Sequence, residues 1–444
     1  SRAANGVIMI TTKRGASGKA KVNARAAWTT SDFAVKFPGR VSPAKQWELA
    51  WEGLYNDATD FQEMSDEKAR EYASNRVPSV FWNTTPIYDA SGNVIRNYRT
   101  GWNMDYPVGL DGKIKPEAER LWDFDLFDEA FNYRLKQDYG VDFSGAMGEN
   151  NTYYASFSYL NDKGVHISDG FRRYTGRVAL NSKINDWFSM SNSIMFMNSA
   201  DVNGGFDARV FRVMPREYSA YLWDHETNSY AISPFTGKPQ LDEGVGNGRA
   251  WWPRWSAYGA LTEAKNSQTD NLQTVSALTF RLLEGLSLKT TYSFQLIDNF
   301  YSMWKSPERE NQLLPSEGYV QRDNYRTYSH TVNNVLTYDK TFSDLHHINV
   351  LVGQEIYSYT TSGTGVTRSG LALPYFKEIS LESNNTSACS SFGSYGLASF
   401  FGKTEYDYNN RYYISGSLRT DGSSRFHPDY RWGQFYSLGA SWRI

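Results

Sequence analysis

The chain has 444 residues, with 46 Lys+Arg against 48 Asp+Glu, and its net charge of −2 excludes bulk electrostatic attraction to nucleic acid or anionic lipid. Aromatic residues make up 16% of it while mean hydropathy is only −0.58, and no stretch approaches the roughly 18 consecutive apolar residues of a membrane-crossing helix. Cys389 stands alone, which excludes an internal disulfide and a Cys-based zinc site.

The opening stretch SRAANGVIMITTKRG places an Asn5-Gly6 turn before a run of β-branched and apolar residues, so residues 5–12 are expected to turn and enter a strand. The other end, YSLGASWRI, stops inside what reads as another strand. Between them, alternation predicts strands over 19–29, 134–147, 151–161, 171–184, 187–198, 269–283, 286–297, 325–342, 345–357, 391–408, 411–420 and 431–444. In LSLKTTYSFQL, Leu286, Leu288, Thr290, Tyr292, Phe294 and Leu296 fall on one face, while Ser287, Lys289, Thr291, Ser293 and Gln295 fall on the other. RYYISGSLR likewise sets Tyr412, Ile414 and Leu418 against Tyr413, Ser415, Ser417 and Arg419.

The connections alternate in length. Asn185-Asp186, Glu284-Gly285, Ser343-Asp344 and Asn409-Asn410 read as two-residue turns, and Gly148-Glu149-Asn150 is nearly as tight. Long excursions lie between them, over 30–133, 162–170, 199–268, 298–324, 358–390 and 421–430. Tight turns at one end and long loops at the other, with an aromatic-aliphatic face opposite a polar one, is the layout of an all-β, antiparallel transmembrane barrel with its long loops outside. The first long loop also holds a helix: Ser42 is its N-cap, Pro43 its first residue, and Trp47, Trp51, Leu54 and Tyr55 its apolar stripe. Packing of the loop onto the barrel rim is the reading preferred for it.

Chemistry-bearing constellations are sparse. His166, His225, His330, His346, His347 and His427 belong to no H-E-x-x-H motif, and neither a G-x-S-x-G elbow nor a P-loop is present. Ser329-His330 and His346-His347 are neighbours on strands, where successive side chains diverge, so a nucleophile–base pair or shared chelation is not expected. The carboxylates of WDFDLFDEA (Asp123, Asp125, Asp128, Glu129) lack the glycine and spacing of a calcium loop and read as a solvated face. No catalytic residue, metal site or cofactor is therefore assigned. The one stretch suggestive of ligand contact is GNGRAWWPRWSAYG, where Trp251, Trp252, Trp255 and Tyr258 offer flat platforms for sugar rings and Arg254 a stacking or hydrogen-bonding cation. Packing against a neighbouring domain or partner is the other reading of these aromatics, and the favoured one.

SRAANGVIMITTKRG resembles the end of the plug domain of the SusC/RagA family of TonB-dependent outer-membrane transporters, with GASGKAK as the link into the first barrel strand. YYASFSYLNDKGVHISDGFRRYTGRVAL, HHINVLVGQEIYSY and RYYISGSLRTDGSSRFHPDYRWGQFYSLGASWRI resemble later strands of that family, in family order. The resemblance implies that 1–15 closes a plug and 19–444 is the first half of the barrel, about 12 of about 22 strands, so that the chain is an internal fragment. It further implies TonB-dependent import of a nutrient across the outer membrane of a Gram-negative, Bacteroidota-type bacterium. The expected partners are a SusD-like surface lipoprotein and the TonB-ExbB-ExbD system, the latter reached through a plug segment outside the chain. Glycans and peptides are both cargoes of the family, with glycans favoured here by the tryptophans. The alternatives are a self-contained passive porin or barrel enzyme, and a soluble carbohydrate-binding β-protein.

Overall fold

The structure, a computed structural model, describes residues 12–13, 15, 18–32, 41–82, 87–88, 94–95, 101–124, 131, 134–166, 169–203, 216, 218–219, 221–224, 227–233, 237–240, 263–305, 318–371, 377–379 and 385–444. In chain order they form β1 (Lys21–Ser31), helices α1 (Pro43–Asp60) and α2 (Asp66–Phe81), a short hairpin of β2 (Ile87–Tyr88) and β3 (Val94–Ile95), then β4 (Arg134–Met147), β5 (Asn151–Lys163), β6 (Gly170–Lys183) and β7 (Phe188–Asn203). A second short hairpin, β8 (Trp223–Asp224) and β9 (Ser229–Tyr230), precedes β10 (Glu263–Leu283), β11 (Leu286–Lys305), β12 (Tyr319–Phe342), β13 (His346–Ser369), β14 (Asn385–Tyr408), β15 (Tyr412–Ser423) and β16 (Trp432–Trp442). Twelve strands make one antiparallel sheet, ordered β1-β4-β5-β6-β7-β10-β11-β12-β13-β14-β15-β16.

The tight turns set the register. Ser343 and Asp344 have φ of 50° and 55°, and Asn409 and Asn410 52° and 51°, so both turns have two left-handed central residues, the twist that matches antiparallel strands. Gly285 has φ 77°, and a Cβ there would lie 2.6 Å from the Asp339 carbonyl oxygen of β12, so only glycine fits. At the β6–β7 turn the Asn185 side-chain oxygen accepts from the backbone N–H of Trp187 (3.1 Å) and Phe188 (2.8 Å), closing a side-chain-mediated turn.

With register set, one face of the sheet is apolar from strand to strand. Phe143, Phe157, Val178, Ile194, Leu336, Val352 and Ile414 all lie on it and are exposed. So continuous an exposed apolar face is a surface made for lipid. Aromatic rings border it at two heights. At the tight-turn end Phe188 stacks on Phe280 (5.0 Å), and Tyr412 stacks on Trp442 (6.2 Å) and Tyr408 (6.5 Å). Higher up, Trp28, Tyr139, Tyr159 and Tyr174 form a row with centroid separations of 5.7, 6.2 and 4.9 Å. The upper row stands about eight residues above the turns, which at ~3.3 Å per residue and ~45° tilt is roughly 20 Å, near the height of a barrel's apolar band.

Above the upper row the same face turns polar. Asn161 donates to Gln137 (3.3 Å), Gln137 to Tyr139 (3.3 Å), and Asn198 to Asp270 (2.6 Å), while Arg326 pairs with Asp298 (2.5 Å). This explains where the strands outrun the sequence expectation. The tight-turn ends agree to within two residues, but at the other end β11 runs to Lys305 rather than 297, β12 starts at Tyr319 rather than 325, and β13 runs to Ser369 rather than 357. At these ends Trp304 of β11 and Val320 of β12 are buried against Leu371 and Ile379 of the connection after β13, so burial there follows a distant segment rather than a period-two alternation.

The long connection after β1 builds a separate apolar core. Ser42 caps α1 as expected, accepting from the Lys45 backbone N–H at 3.2 Å. Trp47 and Trp51 of α1 pack with Val77 and Phe81 of α2, with Trp82, Trp102, Val108, Trp122 and Phe124, and with Tyr218 from the connection between β7 and β10. Trp47 stacks on Phe81 at 5.1 Å, and the Tyr218 hydroxyl donates to the Phe81 carbonyl. The sequence expectation contained no second helix. α2 has a weak apolar face and Pro78 near its end, and it is held by α1 rather than by its own periodicity.

Candidate functional site

The inner face of the sheet, opposite the lipid-facing one, carries the polar alternates. Its strongest cluster spans four strands. Arg419 of β15 pairs with Asp421 (2.7 Å), donates to Ser399 of β14 (3.0 Å), and stands 3.8 Å from Glu355 of β13, which accepts from Asn333 of β12 (3.3 Å). The cross-strand register Asn333↔Glu355↔Ser399↔Asp421 puts these side chains in one row. The Arg419 guanidinium also lies 5.4 Å over the Phe401 ring, so its charge is both paired and stacked.

Toward the loop end, inner-facing Tyr357 and Tyr359 flank Tyr395 at 5.8 and 5.0 Å, and the Arg425 guanidinium covers Tyr395 at 3.8 Å. Beside them the β15–β16 hairpin shapes an open cleft of about 570 Å³ lined by Tyr395, Asp421, Arg425, Tyr430, Trp432 and Phe435. A flat ring, an offset cation and neighbouring hydroxyls can hold a neutral, polyhydroxylated or amide-bearing ligand.

Toward the opposite edge of the sheet, residues before β1 run against the same inner face. The Arg177 guanidinium donates to the Lys13 carbonyl and the Thr12 hydroxyl, both at 2.8 Å, and the Lys13 ammonium lies 3.3 Å from Asp142. A Cβ on Gly15 would fall 2.5 Å from the Tyr153 carbonyl oxygen, so the chain approaches the wall as closely as only glycine allows.

At the rim, two polar clusters brace the connections. The Arg70 guanidinium (2.9 Å) and the Tyr55 hydroxyl (2.7 Å) hold the Asp66 carboxyl below the usual carboxylate range. His166, 5% exposed and packed edge-on to Phe131 at 5.8 Å, is pushed below the usual imidazole range by burial, against the opposing pull of Asp169 at 3.7 Å.

No protein-family model matches the chain. Over its full length it is 24% identical to the TonB-dependent receptor P39 of Formosa agariphila and 23% identical to the TonB-dependent receptor SusC of Bacteroides thetaiotaomicron. The chain spans 36% and 39% of the length of these two relatives. Its fold superposes on the RagAB peptide transporter with a TM-score of 0.69 at 19% identity, covering 98% of this chain and 46% of that one. The open-open state of the RagAB peptide importer gives the same TM-score at 20% identity, with 99% and 46% covered. Over its whole length the chain is thus similar to SusC/RagA-like TonB-dependent receptors. Its twelve-stranded sheet corresponds to part of the outer-membrane β-barrel of such receptors. The proteins that it resembles are receptors and transporters rather than enzymes.

In this SusC/RagA-like chain the sequence-proposed contact residues Trp251, Trp252, Arg254, Trp255 and Tyr258 lie outside the described residues, as do His225 and most of the acidic run after Asp123. The strand histidines are placed by alternation. His330 faces outward with its Nδ1 3.0 Å from the Tyr292 hydroxyl, whereas Ser329 faces inward. His346 meets the Tyr406 hydroxyl at 2.7 Å on the outer face, and His347 lies between Asp407 (2.9 Å) and Asp339 (3.2 Å) on the inner one. Neither pair converges. The Arg419 row and the Tyr395 cluster went unnoticed in the sequence, although the Asn409-Asn410 turn carries the signal. Arg411 joins it as a third loop residue, so the register pairs Phe401 with Arg419 and Ser399 with Asp421, one position on from what a two-residue count gives.

Proposed function

We propose that this chain is the wall and rim of a TonB-dependent importer that carries an oligomeric nutrient across the outer membrane, with oligosaccharide as the favoured cargo. The observation that carries the import reading is the two-sided sheet: apolar and girdled outside, polar and ion-paired inside, across twelve consecutive antiparallel strands. Residues 1–15 close a plug seated in the lumen, supported by the contacts of Thr12 and Lys13 with the inner wall. Residues 19–444 supply the barrel. A SusD-like surface lipoprotein lids the loops, and the TonB-ExbB-ExbD system works the plug; support for both comes from the likeness to SusC and RagAB.

A neutral sugar is favoured over a charged cargo because Arg419, the cation of the inner polar row, is already neutralised by Asp421 and Glu355. Peptide is the second reading, favoured by the fold match to a peptide transporter. Uptake of radiolabelled oligosaccharides and of oligopeptides by cells expressing the protein, with and without TonB, tests both. Loss of TonB-dependent uptake for every oligomer tried removes the import reading, and uptake of peptides alone reverses the cargo. Orientation is checked separately with an epitope tag in the 306–317 connection, which must be reached by antibody on intact cells, while a tag at Ser343-Asp344 must not.

A further inference from the structure

We propose that Lys163 and Arg172 form a site for the phosphate of an outer-leaflet lipid headgroup on the outward face of β5 and β6. Both side chains are exposed and share the face of Tyr159 and Tyr174, since the register pairs Asn161 with Arg172 and Lys163 with Gly170. They are diagonal neighbours across two strands, a spacing of about 7–8 Å that two long cationic side chains close onto one phosphate. Their height fits a headgroup, because they stand immediately above the Trp28–Tyr139–Tyr159–Tyr174 row, where the apolar band ends.

Charge makes the site specific. The Arg172 guanidinium lies 5.6 Å over the Tyr174 ring, and among the described residues neither cation has a carboxylate within ion-pair distance. Of the acids nearest them in sequence, Asp162 points to the inner face and pairs with Lys136 at 3.0 Å, and Asp169 lies 3.7 Å from His166. Arg326, on the same outer face and above the same apolar band, is different: Asp298 holds it at 2.5 Å. Two cations held at the headgroup level without an acid suit a phosphate oxygen, which accepts charge-assisted hydrogen bonds from an ammonium and a guanidinium together. Acyl chains of the same lipid would lie along the apolar face below.

This inference rests on the outward orientation of the long loops given under the proposed function, and the surface-tag experiment tests that orientation by itself. The site is tested with the detergent-extracted protein in phosphatidylethanolamine nanodiscs doped with bis-phosphorylated lipid A, with its dephosphorylated form, or with inorganic phosphate alone. Bound lipid is counted by native mass spectrometry. The phosphorylated form is expected to be retained, and K163Q/R172Q to weaken retention about 30-fold, at about 1 kcal/mol for each cation near a charged headgroup. K163R/R172K is expected to keep it, and R326Q to leave it unchanged. Equal retention of both lipid forms, undiminished binding by K163Q/R172Q, or equally tight binding of inorganic phosphate overturns the lipid site. A surface-exposed tag with no lipid selectivity sinks the site and leaves the import reading standing.

Discussion

Trp47, Val108 and Tyr218 of the rim are 0%, 1% and 0% exposed, whereas Val352, Ile414 and Leu418 of the sheet are 58%, 61% and 59% exposed. One chain thus organises apolar residues in two opposite ways. The rim obeys the rule for water, burying large rings in a compact core between two helices and the strand connections. The sheet inverts it, holding polar side chains on its inner face and presenting Val, Ile, Leu and Phe outward. The difference shows which solvent each region meets, because a face that repels water is stable exposed only against hydrocarbon.

The largest expected effect breaks the rim without touching the sheet. Trp47→Ala removes the centre of the rim core and is expected to loosen it by about 3–5 kcal/mol, as for other buried aromatic truncations. Limited proteolysis should then cut within residues 41–124, while the heat-modifiable gel mobility that reports a folded barrel stays unchanged. Loss of both would join the two regions into one cooperative unit.

A sharper test uses adjacent residues of β12 on opposite faces. Val332 faces outward beside Tyr292 and Ile356, and Thr331 inward beside Ser293 and Tyr357. Val332→Arg is expected to cost about 2–4 kcal/mol in urea unfolding from lipid vesicles, and Thr331→Arg close to nothing. Equal costs at the two positions remove the assignment of faces.

Smaller effects belong to the rim alone. Ser42→Ala deletes the α1 cap and is expected to cost about 1 kcal/mol, read as faster hydrogen exchange in the first turn of that helix. His166 supplies a pH dependence with a definite sign. Its folded-state pKa is depressed, so the unfolded chain binds more protons. Stability of the connection between β5 and β6 is therefore full at neutral pH and is lost as pH falls through the ordinary imidazole range. Amide protection at residues 164–169, taken relative to the intrinsic exchange rate at each pH, should fall on acidification in the wild type and lose that response in His166→Phe.

Much of this was legible in the sequence wherever a residue's face and its solvent coincide. Twelve strands, the tight turns and the Ser42-capped helix could be read because lipid on one side and water on the other impose a period of two, and because turn backbones demand Asn, Asp or Gly. The projecting strand ends were not legible, since Trp304 and Val320 there are buried by Leu371 and Ile379, which are distant in sequence. Helix α2 was missed because its apolar positions are selected by α1 and Tyr218, which are distant in sequence. The proposed contact residues Trp251, Trp252, Arg254, Trp255 and Tyr258 drew attention by composition alone. The Arg419 row and Tyr395 cluster did not, since each is assembled across strands from residues unremarkable one at a time.

By itself, then, the sequence determined the β-architecture, the alternation of tight turns with long connections, and the similarity to SusC/RagA-like receptors, because those follow from local periodicity, turn chemistry and ordered motifs. Only the tertiary structure decided that the rim is cored by rings from two separate connections, and that Arg419 is neutralised on the inner wall. It alone also set Lys163 and Arg172 side by side above the girdle, because strand register joins residues whose separation along the chain carries no signal of their contact.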